Sequence, residues 1–327
     1  MKPPIFIVGA PRSGTTLLSK ILNEHSDIHI TIETHFFEEV LPQLNPRATK
    51  PTEVAETLIN VHKSHLSSSQ KGPELEGIFQ DELVHRLNRA EQTPSAILNT
   101  YLKYHAEIRG KTRIGEKTPR HAFHLGQIRT MYPESPVLLC ARDGRDFLAS
   151  YKAKHRNSPE GNESKDIYHP VITSMLWRGS VQSMLQFTEN DRLNHLINYE
   201  NLIENPSQII HELCDFLNVS FEKNMLTPNS SNTSYEDPNK KKGIYSSSVG
   251  KWRNRLDESE VAVFEYLNRR LLEKLGYSGA SIEHPLRLGI VHFMSLPIKL
   301  PTVIWRNRDN IPMSPRYFLK RIKKMFH

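Results

Sequence analysis

Cysteine is scarce in this chain. Two residues in 327, Cys140 and Cys214, exclude a disulfide-stapled scaffold. Each lies in an apolar run, Val137-Leu138-Leu139-Cys140 and Leu213-Cys214-Asp215-Phe216, so two buried free thiols and a reducing, cytoplasmic setting are expected. Long hydrophobic runs are missing too. The most apolar stretch, 286–305, is interrupted by Arg287, Pro297, Lys299 and Pro301 and does not read as a membrane span. An apolar strand pattern begins by Ile5, so no signal peptide is expected. Nor is there bulk charge of one sign. The formal net charge is +7, but the last twelve residues carry Arg316, Lys320, Arg321, Lys323 and Lys324 and no acid. That tail accounts for +5 and leaves +2 for everything before it. A near-neutral body gives no ground for nucleic-acid binding. The sixteen histidines form no pattern that stands out as a metal site.

One further absence is local. Residues 5–16 read Ile5-Phe6-Ile7-Val8-Gly9-Ala10-Pro11-Arg12-Ser13-Gly14-Thr15-Thr16. An apolar strand enters a turn with glycines five apart, and a helix follows. This layout aims backbone amides and a helix N-terminus at a phosphate. A nucleotide triphosphatase would carry Lys after the second glycine, where this chain has Thr15. The loop therefore suits a 5′-phosphate-like anion but lacks the lysine that reaches β- and γ-phosphates.

The rest of the chain alternates strand-like and helix-like segments. Strands are expected at about 4–9, from His29 to Thr34, before Glu116, at Pro136–Ala141 and from His195 to Tyr199. The helix after the loop has Leu17, Leu18, Ile21 and Leu22 on one side. Asn205-Pro206 reads as an N-cap and first helical residue, and a late helix is expected at 257–275. The pattern predicts an α/β fold, a parallel sheet between helical layers. One domain is expected over 1–284, with a helical insert at about 38–110, followed by a basic C-terminal extension at 285–327.

Pro11-Arg12-Ser13-Gly14-Thr15-Thr16 resembles the 5′-phosphosulfate loop of sulfotransferases that use 3′-phosphoadenosine-5′-phosphosulfate (PAPS). Four more segments match that family in order, over about residues 4–275. In Cys140-Ala141-Arg142-Asp143 through Ser150, eight residues separate Arg142 from Ser150, the family's spacing for a 3′-phosphate site, and Lys154 lies one turn further on. The alternative is a structural pair between Arg142 and Asp143. Glu33-Thr34-His35-Phe36-Phe37 resembles the segment that carries a catalytic glutamate. His35 is a rival base, as are His121 and His124. Gly115-Glu116-Lys117-Thr118-Pro119 resembles the segment whose lysine serves the transferring group. Tyr199, Lys251 and Ser248 fall where the family contacts the nucleotide.

The resemblance implies a nucleotide-binding sulfotransferase of P-loop-like fold. Arg12, Ser13, Gly14, Thr15, Thr16, Arg142, Ser150, Lys154, Tyr199, Ser248 and Lys251 would hold PAPS, and Glu33, Arg12 and Lys117 would act on a hydroxyl-bearing acceptor without a metal. A P-loop nucleotide kinase and a non-catalytic nucleotide-binding module are the alternatives. In the tail, Ser314-Pro315 reads as a helix start, with Phe318, Leu319, Ile322, Met325 and Phe326 at helical spacing between the cations. Such a basic amphipathic helix fits peripheral contact with an anionic membrane, or docking on the body.

Overall fold

The computed structural model describes residues 2–45, 49–156, 168–188, 191–228, 243–244, 248–280, 282 and 285–306. The continuously apolar segment Ile5–Gly9 forms β1, buried along its whole length. It is followed by α1 (Thr15–Asn23), β2 (Ile28–Ile32) and one turn of π-helix at Phe36–Val40. Four helices come next: α2 (Pro51–His65), α3 (Ser68–Leu75), α4 (Gln80–Arg89) and α5 (Pro94–Glu107). Then come β3 (Arg113–Lys117), α6 (Leu125–Met131), β4 (Val137–Ala141), α7 (Gly144–Arg156), α8 (Pro170–Thr188) and β5 (Asn194–Asn198). The chain continues through α9 (Tyr199–Glu204), α10 (Pro206–Leu217), α11 (Trp252–Arg255), α12 (Glu258–Lys274) and α13 (Pro285–Arg306). Local sequence sets several of these ends. Pro94 opens α5 behind Thr93, whose hydroxyl accepts from the Ala96 amide, and Asp257 with Glu260 forms a capping box on α12.

The strands form one parallel sheet in the order β2-β3-β1-β4-β5. Alternate residues of β1 serve opposite cores. Phe6 and Val8 pack with Tyr101, Phe147 and Trp177; Ile5 and Ile7 pack with Leu18, Ile21 and Leu213. Helices therefore cover both faces, and the expected α/β three-layer sheet is the architecture found. The register aligns Lys117 with both Ile7 and Ile32, Gly9 with Cys140, and Ala141 with Asn198. The carboxyl ends of all five strands thus share one edge, where ligands of open α/β sheets bind.

Some boundaries differ from the sequence expectation. β2 stops at Ile32 rather than Thr34, because Glu33 (φ 55°) and His35 (φ 47°) turn the backbone left-handed. Glu33 and His35 are therefore not neighbours on a strand face. β5 ends at Asn198, and Tyr199 opens a helix instead of closing the strand. The Asn205 side chain does not cap α10. Both cysteines are buried free thiols. The tail helix expected from Ser314 lies outside the described residues.

Candidate active site

The loop after β1 owes its shape to two residues with positive φ, Arg12 (71°) and Gly14 (91°). The Ser13 amide donates to the Ala10 carbonyl at 3.1 Å, which closes the turn. Gly14 has no room for a side chain: a Cβ there would stand 2.3 Å from Tyr199 Cδ2. Thr15 and Thr16 begin α1, so the first helical turn points its amides into the loop. The Ser13 hydroxyl is buried and has no hydrogen-bond partner, which leaves a spare donor within the loop.

A second group gathers around Arg142, the first residue beyond β4. Its Nη1 donates to the Arg12 carbonyl at 3.0 Å and its Nη2 to the Ser248 carbonyl at 2.5 Å. The guanidinium lies 4.7 Å from the centre of the Tyr199 ring, whose hydroxyl is 2.6 Å from Ser248 Oγ. Arg12 Nε donates to Ser150 Oγ at 3.1 Å. The structure thus brings Arg12, Gly14, Arg142, Ser150, Tyr199 and Ser248 together. Arg142 Nε is buried and unpartnered, so this guanidinium keeps a donor in hand. Asp143 is not its partner, since that carboxylate is engaged by Arg145 at 2.8 Å. Asp146 accepts from the amides of Gly250 (2.6 Å) and Trp252 (2.8 Å) and so fixes the Ser248 segment to α7. Lys251 follows Gly250 as the N-cap of α11. Lys154 is on α7, and its side chain lies outside the described residues.

The third group joins β3, α1 and the turn after β2. Lys117 is fully buried at the end of β3. Its Nζ donates to Glu33 Oε1 at 2.5 Å and to Thr16 Oγ1 at 3.4 Å. His35 Nε2 is 3.2 Å from Glu33 Oε2. Burial alone would raise the Glu33 carboxyl; the Lys117 ammonium and His35 outweigh it and hold it down at about 2. Lys20, one turn beyond Thr16, went unnoticed in the sequence. Burial and then the Lys117 charge lower its ammonium to about 8, and its only sequence signal is the four-residue step from Thr16.

Behind Glu33 lies a buried polar clamp. His121 sits between two carboxylates, with Nε2 2.8 Å from Glu38 Oε2 and Nδ1 2.9 Å from Glu116 Oε2. The hydroxyls of Thr34 (2.9 Å) and Thr118 donate to Glu116 Oε1. Burial would lower the His121 imidazole, but Glu116 and Glu38 raise it to about 10. A ring charged between two carboxylates is no proton acceptor, so His121 is a poor rival to Glu33. The clamp ties the left-handed residues Glu33 and His35 to the end of β3, where such backbone needs tertiary support.

Among the described residues, two clusters carry metal-type donors within 4.8 Å of one another: His29, Glu74 and His105; and His35, Glu39 and His65. In the first, burial and then Arg109 and Lys111 push His29 down to about 3, and the same cations oppose a metal charge. In the second, His65 already bonds Glu39 at 2.8 Å and its ring stacks on His35 at 3.6 Å.

The solved sulfotransferase domain of the Synechococcus PCC 7002 olefin synthase matches with a TM-score of 0.59 at 21% identity, covering 86% of this chain and 98% of that one, which supports the fold. A nodulation protein, NoeE of Sinorhizobium fredii, is 26% identical over 88% of this chain and 68% of its own length. A putative protein-tyrosine sulfotransferase of Caenorhabditis briggsae is 26% identical over 68% of each. An uncharacterised protein of Aquifex aeolicus is 25% identical over 81% of this chain, which spans 32% of that longer protein. The model of the sulfotransferase family matches residues 3–223, and the chain belongs to that family.

Proposed function

We propose that this protein transfers a sulfuryl group from PAPS to the hydroxyl of an acceptor, leaving adenosine 3′,5′-bisphosphate and a sulfate ester. The observation that carries this reading is Lys117, whose buried ammonium joins Glu33 to Thr16 at the mouth of the anion loop. A base, a cation and a phosphate cradle then meet at one point. The residues present fit the donor: Ser13 Oγ and Arg142 Nε are buried donors in want of acceptors, and Gly14 lets the Tyr199 ring close against the loop.

PAPS, when bound, supplies an activated sulfuryl group. The Ser13, Gly14, Thr15 and Thr16 segment would hold its 5′-phosphate. Arg142, Ser150 and Ser248, with Lys154 and Lys251 nearby in the chain, would hold its 3′-phosphate, and Tyr199 would border the nucleotide. Arg12, bonded to Ser150, serves that side of the donor as well as the transferring group. Glu33 takes the acceptor proton. Lys117 steadies the charge that develops on the sulfuryl and leaving oxygens. These fixed cations suffice in principle without a metal ion. Thr15 in place of the triphosphatase lysine disfavours the kinase alternative. The acceptor class stays broad, a carbohydrate, lipid, small alcohol or, as the name of the Caenorhabditis relative suggests, tyrosine, and the insert at about 38–110 is the proposed acceptor-side wall of the 1–284 domain.

Turnover of radiolabelled PAPS with an acceptor library tests the reading. Glu33→Gln is expected to lower turnover by ~10²–10⁴ while bisphosphate affinity stays within a few-fold. ATP turnover in place of PAPS turnover, or a fully active Glu33→Gln, would overturn it.

A further inference from the structure

Half of the large apolar side chains exposed among the described residues lie on α13: Ile290 (51%), Val291 (68%), Met294 (71%) and Ile298 (79%). At 100° per residue these four positions fall within an arc of about 100°. Tyr266 of α12, itself half exposed, extends the patch through its ring contact with Phe293 at 5.9 Å. The other side of α13 is committed to the body. Phe293 and Leu296 pack against Val171, Met175 and Val263. His292 bonds Ser259 at 2.8 Å, and Ser295 bonds His169 at 3.1 Å. Gly289 passes so near α12 that a Cβ would lie 2.8 Å from Val263 Cγ2. The helix is therefore held with one apolar face inward and another turned to solvent.

We propose that this outer face of α13 seats the protein on the surface of an anionic lipid bilayer. Charge identifies the occupant. Arg287 and Lys299 are exposed on the helix, and the last twelve residues of the chain add five cations and no acid. An apolar stripe flanked by cations matches the boundary between acyl chains and anionic headgroups. A second copy of the same chain would bring like charges together. No helix among the described residues is long and apolar enough to cross a membrane, and the inner face of α13 is already used, so the helix lies on the bilayer. This inference does not depend on the reaction proposed above.

The test is co-sedimentation of the full chain with phosphatidylcholine vesicles and with vesicles that also contain phosphatidylglycerol. The wild-type chain is expected to pellet with the anionic vesicles only, and to be released by high salt. The triple variant Ile290→Ser, Met294→Ser, Ile298→Ser changes exposed positions alone, so its melting temperature should match wild type, and its partitioning should fall at least tenfold. Replacing Lys320, Arg321, Lys323 and Lys324 by Gln should weaken binding and flatten its salt dependence. Failure of the wild-type chain to pellet, or equal partitioning by the triple variant, would overturn the proposal. So would a vesicle-free dimer, seen by light scattering, that the triple variant abolishes.

Discussion

Glu33 is ionised and also a weak base while Lys117 stays beside it, since the ammonium that keeps the carboxylate charged lowers its proton affinity to about 2. Its strength as a base is therefore tied to where Lys117 directs its charge. Placement of Glu33 rests on the His121 clamp, and here pH gives a test. The folded His121 value of about 10 lies above the ordinary 6.5. The clamp's contribution is accordingly complete below pH 6.5 and is lost as pH rises through about 10. His121→Gln leaves Glu38 and Glu116 facing each other without the intervening cation, which should cost about 3–5 kcal/mol. Urea unfolding at pH 6 should show that gap between variant and wild type, and at pH 10.5 the gap should narrow. A gap independent of pH would mean His121 contributes packing alone. Glu33 and Lys117 were visible in the sequence, because each sits in a short contiguous motif. The clamp was not: Glu116 and His121 are near in sequence, but Glu38 comes from the turn after β2, and only folding makes it their neighbour.

Among the elements, the strand-loop-helix unit from β1 to α1 was legible almost residue by residue, because its chemistry is local: apolar strand, two glycines, helical periodicity. The end of β2 was misread for the opposite reason. Positive φ at Glu33 and His35 is disfavoured locally and is imposed by distant partners, which no propensity reports. Tyr199 likewise moved from a strand end to a helix start, yet still reached the loop at Gly14. That contact makes Gly14 a sensitive position. Gly14→Ala must hold an L side chain at φ 91° and displace the Tyr199 ring. Left-handed strain of about 1–2 kcal/mol and overpacking of about 1–3 kcal/mol should lower the melting temperature and weaken bisphosphate binding together. Calorimetry that finds both unchanged would show that Tyr199 yields freely.

At the scale of the molecule, the order β2-β3-β1-β4-β5 brings parts from the whole length of the chain to one sheet edge. Arg12 comes from the first loop, Arg142 and Ser150 from the middle, and Ser248 from the last third. The Arg142 guanidinium bonds the backbone at both Arg12 and Ser248. Adenosine 3′,5′-bisphosphate at ~100 times its dissociation constant adds about 2.7 kcal/mol, a rise of roughly 5 °C in melting temperature for a chain of this size. Differential scanning fluorimetry should find a smaller rise for AMP at the same concentration. In Arg142→Ala the difference between the two nucleotides should vanish, and the ligand-free protein should itself melt earlier. If AMP equals the bisphosphate in the wild-type chain, the 3′-phosphate assignment is wrong. The Arg142 fork also has a kinetic consequence. A side chain that spans two distant parts of the backbone acts as a hinge pin, and under the proposed reaction the segments it joins must part before spent nucleotide can leave. Loosening that pin should therefore hasten product escape, so a variant less robust to heat would turn over faster wherever release, rather than chemistry, limits the cycle.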